Sequence, residues 1–258
     1  MNTAVITGAS SGIGEVFARK LAARGRNVLL VARSEDKLIT LCNELGRSNS
    51  IRAQYVALDL SKPDAAATLF AEATQRGLTV DMLINNAGFG SMGEFGKLDL
   101  ERELNMIDLN IKSLVELTHR FLQPMLERKQ GTIINVASTA SFQAVPFMAT
   151  YAATKAFVLS FSQALWEENR SHGIHVLALC PGVTDTNFFA ASKIDRPPMR
   201  TVQTAEEVVD TALRGLARGK SVVISGWANW FVVEAERVVP RSVVTKVAAK
   251  ALRSRFEQ

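Results

Sequence analysis

Seven short apolar runs recur along the chain, and the stretches between them have helical amphipathic spacing. The runs are "TAVIT", "NVLLVA", "AQYVALD", "DMLINNAG", "TIINVAS", "HVLALC" and "SVVIS"; the amphipathic stretches cover 12–25, 35–46, 63–76, 99–129, 150–171 and 205–218. A strand, a helix and a second strand form a right-handed crossover unit. The alternation therefore predicts an α/β, doubly wound (Rossmann) fold, a parallel sheet of about seven strands with helices on both faces. The runs are apolar throughout rather than at every second residue, as strands covered on both sides require. At 258 residues and 47% hydrophobic composition the chain can bury one large core. One domain is expected over 1–226, with a helical extension over 227–258 packed on it. The one long irregular connection, 187–203 around "DRPPMR", has the size of a lid.

Cys42 and Cys180 lie far apart and lack metal-ligand spacing, so neither a disulfide framework nor a metal site is expected and both read as small buried apolar residues. His119, His172 and His175 show no ligand or triad arrangement. No basic, then apolar leader opens the sequence, and no apolar run is long enough to cross a bilayer, which predicts a soluble cytoplasmic protein. Residues 241–258 carry Arg241, Lys246, Lys250, Arg253 and Arg255 against Glu257, which is most of the net charge of +5. The rest of the chain is near neutral and has no interleaved aromatic and basic residues, so no nucleic-acid partner is expected.

The first run leads directly into "TGASSGIG", which places Gly8, Gly12 and Gly14 at a strand-to-helix turn. Glycines let backbone approach a pyrophosphate closely, and the helix N-terminus offers unpaired N–H groups to the anion. The spacing departs from the standard dinucleotide fingerprint, but its position at the start of an alternating α/β chain gives it weight. After the second run, where a site for NAD carries an acid, the chain reads Ala32, Arg33, Ser34. Arg33 can stack on adenine and grip a 2′-phosphate, with Ser34 donating a hydrogen bond and Lys37 adding charge, so NADP(H) is expected over NAD(H). Glu35 and Asp36 close by oppose that preference.

Tyr151 and Lys155 stand four apart in "YAATKAF", hence on one face of a helix. An ammonium beside a phenol lowers its pKa and makes a proton donor and acceptor. Alone, the pair reads first as two residues sharing an amphipathic surface, and the rest of the chain must decide.

Taken together and in this order, these motifs resemble the classical short-chain dehydrogenase/reductase family over residues 3–225. The resemblance assigns the glycine-rich segment, with Gly8, Ser10, Ser11, Gly12, Ile13 and Gly14, to the cofactor. It puts Asp59, with Leu60 alongside, at the adenine, and Asn85, Asn86, Ala87 and Gly88 under the cofactor ribose. The "PGVTDT" stretch, with Pro181, Gly182, Val183 and Thr186, would hold the nicotinamide carboxamide. Asn110, Ser138, Tyr151 and Lys155 match the family's catalytic set, with twelve residues between Ser138 and Tyr151. Tyr151 would then exchange a proton with the substrate oxygen, and Lys155 would lower its pKa and bond the nicotinamide ribose. Ser138 would orient the carbonyl, and Asn110 would hold a water. Family members pair through the helices at 99–129 and 150–171, which implies a homodimer or homotetramer.

Phe142, Val145, Pro146, Phe147 and Met148, with Phe188 and Phe189 from the lid, would line an apolar pocket without a cation. The expected activity is NADPH-dependent reduction of an apolar ketone or a 3-oxoacyl carbonyl. Oxidation of a hydroxysteroid, retinol or long-chain secondary alcohol is the alternative within the class, and a non-catalytic dinucleotide-sensing protein the alternative outside it. The tail carries Trp227, Trp230, Phe231 and Val238 at helical spacing up to Pro240. Beyond it, Val243, Val244, Val247, Ala248, Ala251 and Leu252 form a second stripe opposite Lys246, Lys250 and Arg253. Such a helix either packs on its own subunit or meets an anionic membrane surface or an acyl carrier protein.

Overall fold

The computed structural model describes residues 2–188, 192 and 202–253. All seven apolar runs form strands of one parallel sheet: β1 (Asn2–Thr7), β2 (Asn27–Ala32), β3 (Ala53–Ala57), β4 (Thr79–Asn85), β5 (Gly131–Val136), β6 (Ile174–Cys180) and β9 (Val222–Ile224). Their spatial order is β3-β2-β1-β4-β5-β6-β9. Two further strands, β7 (Thr184–Asp185) and β8 (Gln203–Thr204), pair in parallel apart from this sheet. At two residues each they are too short to show a period in sequence.

Successive side chains of a strand point to opposite faces, and this builds two cores. Ile6, Leu30, Ile84 and Ile134 meet α1 (Gly12–Ala22), α2 (Glu35–Asn49) and α7 (Ala205–Ala217) through Phe17, Leu38 and Val208. Val5, Leu29, Leu83 and Ile133 meet α3 (Ala65–Gln75) and α5 (Leu114–Glu127) through Leu69 and Phe121. A fully buried Leu or Phe contributes about 2 kcal/mol. A surface ion pair such as Lys20–Asp210, at 2.8 Å, contributes about 0.5 kcal/mol, so the apolar layers dominate.

The stretch 99–129 is interrupted. It forms α4 (Leu100–Ile107), a π-helical turn (Asp108–Ser113) and α5. The helix α6 (Ala149–Asn169) packs on β6, and the C-terminal region forms α8 (Trp227–Glu236) and α9 (Arg241–Arg253). Val233 of α8 is buried, whereas no residue of α9 is. Among the described residues no helix is long and apolar enough to cross a membrane. The strand order reverses at β1, between β2 and β4, and a crevice opens there beyond the carboxyl ends of the strands. Gly8, Asn86 and Ser138 each follow a strand at that edge.

Candidate active site

The glycine-rich turn after β1 is locked from beneath. Thr7 Oγ1 accepts the backbone N–H groups of Asn86 (2.9 Å) and Ala87 (3.0 Å) and donates to the Ile84 carbonyl (3.2 Å). Asn86 Nδ2 donates to the carbonyls of Thr7 (2.9 Å) and Gly8 (3.2 Å), so this side chain fastens the turn to β4. Gly8 has φ +65°, and a Cβ on it would lie 2.7 Å from Asn86 Nδ2. A Cβ on Gly14 would lie 2.3 Å from the Gly8 carbonyl oxygen. Only glycine lets the turn fold back this closely on α1. Ser11, at the N-cap of α1, makes no side-chain cap hydrogen bond, which leaves the first-turn N–H groups to an outside acceptor. A half-buried rim of Ser10, Ser11, Gly12 and Ile13 surrounds that end. Thr186 closes it, 3.0 Å from a Cβ position on Gly12. This cradle fits a dinucleotide pyrophosphate.

At the end of β2, Arg33 and Ser34 are exposed, and Arg33 has no hydrogen bond or ion pair among the described residues. Glu35 accepts from the Tyr55 hydroxyl at 3.3 Å, which draws one of the two nearby acids toward β3. Across the opening, Asp59 Oδ1 accepts from the Ser61 N–H (3.0 Å) and hydroxyl (2.8 Å), and Leu60 is buried alongside. Burial pushes the Asp59 carboxyl up, but the Ser61 bonds and the charge of Arg33 outweigh it and hold the group below the usual aspartate range. An ionised acceptor and an exposed guanidinium therefore lie near enough to feel each other's charge.

Four residues named from sequence converge at the centre of the crevice. Ser138 follows β5 and opens a short turn whose capping box fixes it: its Oγ accepts from the Ala140 N–H (3.1 Å), and its own N–H donates to Ser141 Oγ (3.2 Å). Tyr151, on the first turn of α6, is buried with its phenol close enough to the Ser138 hydroxyl to be influenced by it. Burial pushes the phenol up to about 12, and the neighbouring Ser138 hydroxyl offsets only part of this. The same burial pulls Lys155 down to about 8. Lys155 Nζ donates to the Val136 carbonyl at 2.8 Å and lies 5.9 Å from the centroid of the Tyr151 ring. The lowering of Tyr151 by Lys155 that their spacing suggests does not govern this state, because desolvation is the larger effect and the ammonium faces a carbonyl. Tyr151 thus holds its proton at neutral pH.

Asn110 occupies the π turn, and its side chain is fully engaged. Nδ2 donates to the Phe89 carbonyl (3.0 Å) and Thr154 Oγ1 (3.1 Å), and Oδ1 accepts from the Phe89 N–H (3.2 Å). Gly88 sits between: a Cβ there would be 2.8 Å from Asn110 Oδ1 and 3.6 Å from Lys155 Nζ. Thr154, which sequence reasoning did not single out, donates to the Tyr151 carbonyl at 2.7 Å and so joins Asn110 to the tyrosine's own turn. Ser141 does the same for the lysine, donating to the Lys155 carbonyl at 2.8 Å. Adjacency to Lys155 is the only trace of Thr154's place in the sequence. Behind them, Asn85 donates to Asn135 (2.9 Å) and Thr118 (3.0 Å), and Asn135 donates to Ser162 (2.9 Å), a buried ladder across β4, β5, α5 and α6.

One wall is apolar. Phe188 lies 5.6 Å from the Tyr151 ring, tilted by 53°, and Gly90 donates its N–H to Ser192 Oγ at 2.9 Å. Val145, Pro146, Phe147 and Met148 are half-buried, and Phe147 takes a left-handed φ of +66° with its carbonyl accepting from the Gly93 N–H. Phe142 packs partly into the core beside Leu114 and Val158. Phe189 and most of 187–203 lie outside the described residues. Val183 accepts from the Gln203 N–H at 3.1 Å, Pro181 from the Thr139 N–H at 2.9 Å, and Gly182 abuts Asn229 of α8. Burial pushes the Cys42 thiol up to about 11 and the Cys180 thiol up to about 12, which suits packing residues.

The short chain dehydrogenase family model matches residues 2–197. A very-long-chain 3-oxoacyl-CoA reductase of Rattus norvegicus is 32% identical over 98% of this chain and 81% of its own. Among solved structures, a short-chain dehydrogenase from Sphingobium yanoikuyae in complex with NADPH superposes with a TM-score of 0.84 at 33% identity, over 92% of this chain and 93% of that one. A 7beta-hydroxysteroid dehydrogenase gives a TM-score of 0.85 at 28% identity, over 98% and 96%. With a seven-stranded doubly wound sheet, a glycine cradle and a Ser–Tyr–Lys cluster at its mouth, the chain belongs to the classical short-chain dehydrogenase/reductase family, and is an oxidoreductase that works with a nicotinamide dinucleotide.

Proposed function

We propose that the protein reduces the keto group of a long apolar substrate, a 3-oxoacyl thioester foremost, with NADPH as the reductant. The observation that carries this reading is the protonated Tyr151 hydroxyl beside Ser138, set under the Phe188 ring and next to half-buried Val145, Pro146, Phe147 and Met148, with no cation in that stretch among the described residues. A bound nicotinamide supplies the hydride. Ser138 and Tyr151 hold the carbonyl oxygen between them, and Tyr151 Oη gives its proton as negative charge develops there. Lys155 restores charge balance beside the phenol. Asn110 braces the π turn, where the opened helix ladder gives a water access to the lysine. Arg33 and Ser34 favour a 2′-phosphate, and the similarity to an NADPH complex and to a 3-oxoacyl-CoA reductase supports both halves of the reading.

The body of the molecule is a single unit over 1–226, with the C-terminal helices an extension packed on it. Pairing of two or four copies through α4, α5 and α6 is supported by the exposed Leu100, Leu104 and Phe157 on those helices. It is also supported by Glu103, buried with neither carboxylate oxygen hydrogen-bonded among the described residues. The likeness to a hydroxysteroid dehydrogenase favours a second reading, in which the same residues run an alcohol oxidation with Tyr151 accepting the proton.

Nicotinamide absorbance, followed as the enzyme meets 3-oxoacyl-CoA thioesters of increasing chain length with NADPH or NADH, separates the readings. Turnover that rises with chain length and prefers NADPH is the expected result. Silence with every 3-oxoacyl chain, together with oxidation of hydroxysteroids, would replace the first reading by the second.

A further inference from the structure

The two C-terminal helices leave a patch of large apolar side chains in water. Trp227, Trp230 and Phe231 stand at i, i+3 and i+4 on α8 and are 84%, 53% and 65% exposed; Val238, in the turn that follows, is 85% exposed. On α9, Val244, Ala248 and Leu252 form a half-buried row. Val243, Val247 and Ala251 form a neighbouring row that is exposed, Val247 to 64%. Beside that open row runs a third, Lys246, Lys250 and Arg253. With Arg241 they give α9 four cations and no acid in thirteen residues. Lys246 and Lys250 make no hydrogen bond or ion pair among the described residues. Large apolar side chains exposed on two successive helices mark an interface.

We infer that α8 and α9 dock the enzyme on an anionic lipid bilayer. Exposed tryptophan and phenylalanine on α8, and on α9 a valine row flanked by a basic one, match a surface whose headgroups are negative and whose interior is apolar. A second copy seated on the same patch about a two-fold axis would set the basic row of α9 against itself. An acidic protein would answer the lysines but not the aromatic face of α8. The patch also adjoins the site: Asn229, within the exposed stretch of α8, donates to the Ser225 carbonyl at 2.7 Å and packs against Gly182. Docking would therefore hold the crevice close to where an apolar chain partitions. The inference does not depend on which carbonyl the enzyme reduces.

Two of the three tryptophans, Trp227 and Trp230, lie in the patch, so intrinsic fluorescence reads docking directly. The full chain is mixed with phosphatidylcholine vesicles that contain or lack phosphatidylserine, then sedimented, with tryptophan emission recorded. Sedimentation and a blue shift with the anionic vesicles alone, both reversed by salt, are expected. Lys246→Glu with Lys250→Glu should weaken partitioning by at least about 30-fold. Trp227→Ser should remove most of the blue shift, and both variants should keep wild-type turnover of a water-soluble ketone. Absence of binding to anionic vesicles, or equal binding to neutral ones, would overturn the inference. So would self-association that depends on Lys246 and Lys250 without vesicle binding, or capture by an acidic acyl carrier protein in place of vesicles.

Discussion

Replacing Thr154 with valine isolates the brace between Asn110 and Tyr151. Thr154 and Asn110 are both 1% exposed, and valine has nearly the same shape, so the change deletes a hydroxyl without opening a cavity. Asn110 Nδ2 loses one of two acceptors and keeps the Phe89 carbonyl at 3.0 Å; the Tyr151 carbonyl loses a 2.7 Å donor but stays inside a helical ladder. The net loss is two hydrogen bonds, one of which leaves a half-satisfied buried amide, about 2 kcal/mol. In a domain of this size that lowers Tm by about 5 °C. A loosened π turn should also slow proton delivery, lowering kcat by about tenfold and raising the solvent isotope effect on kcat. Thr154→Ser keeps the hydroxyl and should restore most of both. The reasoning fails if the valine variant melts early yet keeps wild-type kcat and isotope effect, for Thr154 would then be packing alone. It fails equally if serine does no better than valine.

Other outcomes follow from the same geometry. Arg33→Ala removes an exposed guanidinium with no partner among the described residues, so Tm should hold while KM for NADPH rises by about 30-fold and KM for NADH barely moves; equal changes for both cofactors would refute its assignment. Gly14→Ala sets a Cβ 2.3 Å from the Gly8 carbonyl, so calorimetry should show dinucleotide binding lost and stability lowered by about 3 kcal/mol. The pH profile should fall in one direction: with Lys155 at about 8, reductive kcat/KM declines as pH rises through 8 and the ammonium is lost. Stability behaves oppositely over that window. The unfolded lysine titrates near 10.5, so between 8 and 10.5 the unfolded chain binds more protons and this group favours folding as pH rises. A melting curve that drops together with the rate above pH 8 would contradict the assignment.

The sheet was legible because its inner strands are buried on both faces and so are largely apolar along their length. The run "NVLLVA" allows little else, and the Tyr151–Lys155 spacing survives translation into a helix unchanged. What sequence concealed depends on distant partners. The π turn within 99–129 inserts into a helix whose pattern continues on both sides; what holds it is Asn110 reaching Phe89 and Thr154, an arrangement without local signature. Asn86 also fastens the glycine turn through its side chain, a role that needs the parallel pairing of β1 and β4 and that the sequence does not show. The raised Tyr151 and lowered Lys155 arise from desolvation, which spacing does not encode.

The central claim is that Tyr151 supplies the proton while other residues hold the dinucleotide. The most direct test compares Tyr151→Phe with the wild type in NADPH binding and in steady-state reduction of a 3-oxoacyl-CoA. The account predicts a Kd for NADPH unchanged within about threefold and a kcat lower by about a thousandfold. A phenylalanine variant that binds NADPH and still reduces the substrate at a comparable rate would contradict it.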